Sequence, residues 1–109
     1  MNARYVIRPK ADADLDHQAF YLAEKATPEV GHRFLIAAHQ TFTLLASQPE
    51  MGWHPRLKHP DLASLRTFRI SGFERMIVLY RLISDGVEIL RVIHGSQDLS
   101  RLLSRERIE

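Results

Sequence analysis

Two apolar runs on either side of Asp85-Gly86 constrain the fold more than any other feature of the sequence. Both runs lie within residues 73–96 and are rich in the β-branched and aromatic residues typical of strands. Asp-Gly between two such runs is a strong hairpin signal, because a two-residue primed turn requires positive φ at both central positions. With Asp85-Gly86 as the loop, Tyr80 lies opposite Arg91. The sequence therefore predicts an antiparallel hairpin in this register.

Side chains alternate between the two faces of this hairpin, and both faces are mostly apolar. One face carries Met76, Val78, Tyr80, Leu82, Ile89, Arg91 and Ile93. The other carries Ile77, Leu79, Arg81, Ile83, Leu90, Val92 and His94. Helices can cover only one of these faces. We therefore expect the second face to be left bare for the C-terminal segment, residues 99–103, for a partner chain, or for both.

Two polar groups on this hairpin have alternative interpretations. Tyr80 and Arg91 form a stacked structural pair, or Arg91 is an exposed contact for an anion. His94, at a strand end before Gly95, is either a hydrogen-bonded structural residue or a reactive one, since histidine is the commonest acid–base residue.

The first half of the chain predicts a strand and then a helix. Residues 5–7 form a short β-type run that is closed by Pro9. Asp12, Asp14 and Asp16 then crowd the start of a helical pattern, where the helix dipole and unpaired N–H groups favour negative charge. A divalent-metal site is the alternative, but no other acidic cluster is present to complete its coordination.

A second helix is predicted to begin at Thr27-Pro28-Glu29. Thr is a good N-cap, Pro suits the first helical position, and Glu adds to the first turn. The helix should end near Ser47, before Gln48-Pro49. Because the linker between the helices is short, we expect an antiparallel helical hairpin.

The loop that follows, residues 48–65, is longer than most loops in a compact domain, and such loops are often functional. It holds one aromatic and four cationic or imidazole side chains: Trp53, His54, Arg56, Lys58 and His59. His54 and His59 are weak metal candidates, because no carboxylate cluster or third histidine lies nearby. A strand at residues 66–70 and the hairpin complete the predicted order β-α-α-β-β-β.

This order indicates an α+β fold in a single domain spanning residues 1–109. We expect the N-terminal strand and the helical hairpin to pack on one face of a small antiparallel sheet, with a short C-terminal tail. The absence of cysteine excludes disulfides, thiolate metal sites and cysteine nucleophiles, and it fits a reducing cytoplasm. We see no signal peptide and no apolar run long enough to cross a membrane.

Charge is distributed unevenly along the chain. Residues 1–55 hold five basic and six acidic residues, whereas residues 56–109 hold ten and seven, and nine of those ten are Arg. Arg is preferred for planar contact with carboxylate or phosphate. The second half therefore favours an anionic partner, either an acidic peptide or nucleic acid, although a plain solvated surface remains an alternative on charge alone.

Several short motifs follow one another along most of the chain. They are Ala13-Asp14-Leu15-Asp16, Tyr21-Leu22-Ala23-Glu24, Phe42-Thr43-Leu44-Leu45-Ala46, Pro49-Glu50-Met51-Gly52, Leu65-Arg66-Thr67-Phe68-Arg69-Ile70, Phe73-Glu74-Arg75, Ile77-Val78-Leu79-Tyr80-Arg81 and Val87-Glu88-Ile89-Leu90-Arg91-Val92-Ile93-His94-Gly95, followed by Asp98. In order and spacing these motifs resemble the RelE/ParE toxin superfamily of bacterial type II toxin–antitoxin modules, and the resemblance is strongest to the ParE branch.

The resemblance implies a strand, a helical hairpin and a three-stranded antiparallel meander. It also implies a toxin that poisons DNA gyrase and blocks replication unless a cognate antitoxin binds it in a hetero-oligomer. The antitoxin would carry a DNA-binding domain and an acidic, partly disordered tail, and no cofactor or metal is implied. The residues expected to contact target or antitoxin are Arg69, Arg75, Arg91, His94, Asp98, Leu99, Leu102 and Leu103.

The superfamily also implies alternatives. Toxins of the RelE branch cut mRNA in the ribosome, and Arg75 and His94 stand at positions that are catalytic in some of them. Some members of that branch also use a Glu in the loop after the second helix and a Tyr after the His. In this sequence the Glu would fall near Arg56, and Gly95 stands in place of the Tyr. We therefore expect a site without nuclease activity. Gln97 stands where the ParE tail carries Arg, which leaves open an inactive module that mainly binds the antitoxin.

Overall fold

The computed structural model describes residues 3–55 and 63–95. The elements are β1 (Arg4–Ile7), α1 (Pro9–Lys25), α2 (Pro28–Ser47), β2 (Arg66–Ile70), β3 (Phe73–Ile83) and β4 (Gly86–His94). A short 3₁₀ turn at Pro49–Met51 follows α2. The predicted α+β class and element order are confirmed, whereas the C-terminal tail lies outside the described residues.

The four strands form one open sheet in the order β1-β4-β3-β2. The sheet is mixed rather than antiparallel throughout, because β1 pairs in parallel with β4. Arg4 lies opposite Gly86 in this pairing. A Cβ at position 86 would overlap the Arg4 carbonyl, so the close approach of the two backbones requires glycine there.

The hairpin turn lies one residue earlier than the sequence indicated. Ser84 and Asp85 form the loop, and Gly86 is already part of β4. Tyr80 therefore pairs with Ile89, and the predicted pairing of Tyr80 with Arg91 is wrong. The cause is tertiary, since Gly86 serves the contact with β1 rather than the turn.

A β-bulge further changes the register between β3 and β4. Leu79 pairs with Arg91 while the next residue on β3 pairs with Ile89, so Leu90 is the extra residue on β4. The bulge breaks the simple alternation of side chains, and Ile89 and Val92 both join the core. The sequence predicted that Ile89 and Arg91 share one face of the hairpin. This prediction is wrong, because the bulge lies between the two residues.

The helical hairpin packs on one face of the sheet and encloses the core. The Thr27 hydroxyl accepts a hydrogen bond from the Val30 N–H (3.2 Å), which confirms the predicted N-cap of α2, and the helix ends at Ser47 as expected. The fully buried residues of α2 that fill the core are Phe34, Ala38, Phe42 and Leu45. They meet Ile70, Met76, Val78, Tyr80, Val87, Ile89 and Val92 from the sheet.

The opposite face of the sheet is not bare at its centre. Leu79, Leu90 and Ile93 are 0%, 3% and 2% exposed, although they stand outside the main core cluster. The centre of the second face is therefore covered, whereas the predicted cover, residues 99–103, lies outside the described residues. On this same face Ile77 is only half-buried, so some apolar surface remains accessible beside β2.

The described helices are too short or too polar to span a bilayer. Within residues 3–55 and 63–95 there is also no group of three or more His, Asp or Glu side chains able to hold a metal ion.

Candidate interaction site

A groove of about 350 Å³ lies beside β2, the edge strand of the sheet. It is lined by Trp53, Thr67, Phe68, Arg69 and Ile77. The lining therefore combines two aromatic rings, one aliphatic side chain and one cation.

Trp53 is held on the edge of the sheet by its backbone. Its N–H donates to the Thr67 carbonyl (2.9 Å), and the Thr67 N–H donates to the Trp53 carbonyl (2.7 Å). The indole stacks on Phe68 with ring centroids 5.7 Å apart and an angle of 13° between the planes. Trp53 is nevertheless 64% exposed. The result is a fixed aromatic surface that is open to a partner.

The loop that carries Trp53 is anchored to the sheet by two side chains. The buried Tyr80 hydroxyl donates to the Pro49 carbonyl (2.8 Å) and accepts from the Gly52 N–H (2.9 Å). The Arg66 guanidinium donates to the carbonyls of Glu50 (3.0 Å) and Gly52 (2.9 Å). Burial raises the pKa of Tyr80 above its ordinary value, and the Gly52 hydrogen bond and the charge of Arg66 offset this only in part.

Arginines on the β1–β4 side of the sheet have carboxylate partners. The pairs are Arg4 with Asp85, Arg81 with Glu88 (2.7 Å), and Arg91 with Asp14 (2.7 Å). The positive charge on this side is therefore largely compensated within the chain.

Arginines near the groove differ in this respect. Within the part of the chain that the structure describes, Arg66, Arg69 and Arg75 form no ion pair with a carboxylate. Arg69 is exposed and donates only to the Glu74 carbonyl (2.6 Å), and Arg75 is also exposed. Among the described residues, the groove side of the sheet therefore carries positive charge without a carboxylate partner.

Arg91 was a predicted contact residue, and the structure places it in an internal ion pair. Two of its nitrogens donate to the two Asp14 oxygens (2.7 and 2.9 Å), and one of those oxygens also accepts from the Val92 N–H (2.9 Å). Both side chains are only 14% exposed. Neither the stacked pair with Tyr80 nor the exposed anion contact is observed.

The three aspartates near the start of α1, Asp12, Asp14 and Asp16, have different surroundings. Helix α1 begins at Pro9, so Asp12 lies in its first turn as expected, whereas Asp14 faces β4 and the exposed Asp16 points outward. The helix-start interpretation is therefore confirmed for Asp12 only.

Arg75 and His94 lie close along the sheet but on opposite faces. His94 pairs with Met76, whose side chain is in the core, so His94 shares the core side. Arg75 precedes Met76 and therefore projects from the other face. Arg69 pairs with Ile77 and lies on the same face as Arg75. The register thus places Arg69 and Arg75 on one face of the sheet and His94 on the other.

Sequence reasoning placed Trp53 in a candidate functional loop but did not name it, Thr67 or Phe68 as site residues. The fixed position of the indole depends on a bridge to β2 that no local pattern reveals. His54, a weak metal candidate, instead contacts the Leu65 carbonyl through Nδ1 (3.0 Å). The other predicted residues, His59, Asp98, Leu99, Leu102 and Leu103, lie outside the described residues.

The fold recurs in a solved structure described as "Chromosomal ParDE TA system from P. aeruginosa". The two chains superpose with a TM-score of 0.69 at 18% sequence identity, over 85% of this chain and 96% of that chain. At this identity the likeness establishes a common fold. No curated protein matches the sequence.

The family follows from the sequence itself. The family model for the ParE toxin of the type II toxin–antitoxin system parDE matches residues 5–99, from β1 to beyond β4. The chain belongs to the ParE toxin family of type II toxin–antitoxin systems. The resemblance found in the motifs is thereby confirmed.

Proposed function

We propose that this ParE-family toxin inhibits DNA gyrase, blocks replication and arrests growth when its antitoxin is absent. The observation that carries the proposal is the family match over residues 5–99. The toxin would act by binding, in the bacterial cytoplasm, rather than by a chemical step of its own.

The strand register favours this activity over mRNA cleavage. Cleavage through the 2′-hydroxyl requires a base and an acid close to the same phosphate. Arg75 and His94, the residues expected to serve a nuclease, project from opposite faces of the hairpin. Placement on opposite faces makes it harder for one phosphate to contact both side chains, and this supports the binding toxin over the nuclease.

An antitoxin is the proposed partner in the resting cell. Arg69 and Arg75 present positive charge that no described carboxylate neutralises. An acidic, partly disordered tail suits such a surface, because charge guides its approach and ordering accompanies binding. We propose Arg69 and Arg75 as contacts for antitoxin or target, together with Asp98, Leu99, Leu102 and Leu103 of the tail. Arg91 then acts on the fold through Asp14.

A gyrase assay with purified toxin tests the proposed activity. We expect inhibition of supercoiling and accumulation of linear, cleaved DNA, and we expect equimolar antitoxin to abolish both effects. Arg75→Ala should weaken inhibition, while Arg33→Ala, an exposed arginine on α2, is the matched control. Unchanged supercoiling at a large excess of toxin contradicts the proposal.

A translation assay run beside it separates the alternative activity. Messenger RNA should remain intact in the presence of ribosomes and toxin. Cuts in translated mRNA that His94→Ala abolishes would establish the endonuclease instead. Harmless overexpression without antitoxin would indicate an inactive module.

A further inference from the structure

We propose that the groove between Trp53 and Arg69 is the docking site for an acidic, extended segment of the antitoxin. One apolar side chain of the segment packs on the indole, and a neighbouring carboxylate pairs with Arg69 or Arg75. This assignment rests on the proposed function in one respect, namely that the protein has an antitoxin. It adds where that partner binds and which chemistry the groove selects.

The apolar half of the site is already formed in the free chain. One face of the indole stacks on Phe68, and 64% of Trp53 is exposed. Ile77 lies in the same groove. A volume of about 350 Å³ accommodates a large side chain and part of its backbone. Aromatic rings held in this way are frequent anchors at protein interfaces, because little conformational entropy is lost when they are covered.

The strand edge supplies a second, directional element. The N–H and C=O of Thr67 point away from β3 and bond to Trp53. Those of Arg69, two residues further along β2, point the same way, and no described backbone group pairs with them. An extended segment can therefore add beside Arg69 by main-chain hydrogen bonds, with Trp53 limiting its register.

The charges around the groove select an acidic occupant. Arg69 pairs across the sheet with Ile77, and Arg75 lies two residues before Ile77 on the same face. The nearest carboxylate on these strands, that of Glu74, accepts from the Gly72 N–H (2.7 Å) in the turn. Among residues 3–55 and 63–95 no carboxylate forms an ion pair with Arg69 or Arg75, so both can pair with carboxylates of a partner.

A nucleic acid is the less favourable occupant. Binding to the backbone of duplex DNA draws its strength from many cationic contacts, and a protein with about six to ten phosphate contacts is a representative case. The described groove face offers two uncompensated guanidinium groups. A pair of carboxylates beside one apolar side chain matches this arrangement more closely.

Trp53 is the only tryptophan of the chain, so it reports on this groove alone. We would label the full-length toxin with 5-fluorotryptophan and add its unlabelled cognate antitoxin. Size-exclusion chromatography measures complex formation separately. In the complex we expect the single ¹⁹F resonance to move and its H₂O/D₂O shift difference to shrink. Binding and its strength are then measured on the same sample.

Substitutions of Arg69 and Arg75 test whether their positive charges contribute to antitoxin binding. Arg69→Ala should weaken antitoxin binding about tenfold, the effect of losing an interface residue worth about 1.4 kcal/mol. Arg75→Ala provides a second test at an exposed residue. The control Arg33→Ala, on α2, should leave affinity within about twofold, the scale of surface changes away from an interface. Circular dichroism confirms that each variant is folded.

Three results would overturn the assignment. The first is a stable complex in which the Trp53 resonance does not move, and the second is unchanged affinity in both Arg69→Ala and Arg75→Ala. The third is the finding that a DNA duplex moves the resonance and displaces the antitoxin, which would indicate that the groove binds nucleic acid. Gyrase inhibition by free toxin is measured without antitoxin, so these failures are distinct from failure of the proposed function.

Discussion

Tyr80→Phe tests how the loop beside the groove is held. The substitution removes only the hydroxyl and keeps the buried ring, so core packing changes little. The Gly52 N–H loses its acceptor and the Pro49 carbonyl loses its donor. Both groups then lack the partners that they have in the native protein.

The expected loss follows from these two hydrogen bonds. Each buried polar group left without a partner costs about 1–3 kcal/mol. The variant no longer has to bury the Tyr80 hydroxyl, and this gain offsets part of the loss from the two groups. We expect a net loss of about 2 kcal/mol. With an unfolding entropy of about 2.1 cal/mol/K per residue, a chain of 109 residues loses about 9 °C in Tm.

Thermal unfolding followed by far-ultraviolet circular dichroism measures the loss. Iodide quenching of Trp53 fluorescence should change as well, because the hydroxyl anchors the loop that carries Trp53. Tyr21→Phe, at a residue 54% exposed, is the matched control and should cost less than about 0.5 kcal/mol. A Tm for Tyr80→Phe within about 2 °C of wild type would refute the reasoning, since it corresponds to less than about 0.5 kcal/mol.

Three further predictions concern stability, and each is measured by urea unfolding. Asp14→Ala leaves Arg91 buried without its partner and should cost about 3 kcal/mol. Gly86→Ala should cost at least about 2 kcal/mol, because the new Cβ overlaps the Arg4 carbonyl. Stability should fall as pH rises above the ordinary Tyr pKa of 10.0, because the folded state raises the pKa of Tyr80 and the unfolded chain loses its proton first.

Controls accompany each of these. Asp16→Ala, at an exposed position of α1, should change stability by less than about 0.5 kcal/mol, and a similar loss in both aspartate variants would contradict the ion-pair argument. Gly72 has φ +83° but open space around it, so Gly72→Ala should cost about 1 kcal/mol. A loss at Gly86 no larger than at Gly72 would argue against the backbone overlap. Tyr80→Phe should lack the alkaline loss attributed to the Tyr80 hydroxyl.

Local signals predicted the helices well. Thr27 caps α2 through its own hydroxyl, and α2 ends at Ser47 before a proline. Pro9 both closes β1 and begins α1. These features depend on neighbours in sequence, so a single sequence contains the required information.

Long-range contacts account for the errors. Gly86 resembled a turn residue, but its lack of a side chain serves the approach of β1. Asp14 resembled helix-start chemistry, but its partner, Arg91, lies 77 residues away. The bulge at Leu90 has no residue signature of its own, since the apolar pattern is equally consistent with regular alternation. Such contacts become visible only when the strand order is known.

The parallel pairing of β1 with β4 has a consequence for how the toxin matures. The first strand hydrogen-bonds to the last described one, as in the bond from the Arg4 N–H to the Asp85 carbonyl (3.0 Å). Closing so long a segment of chain is entropically costly and slow compared with forming local contacts. During synthesis the N-terminal strand must wait for its neighbour to leave the ribosome. A nascent chain therefore cannot complete the sheet, or any surface that depends on it, before β4 has left the ribosome.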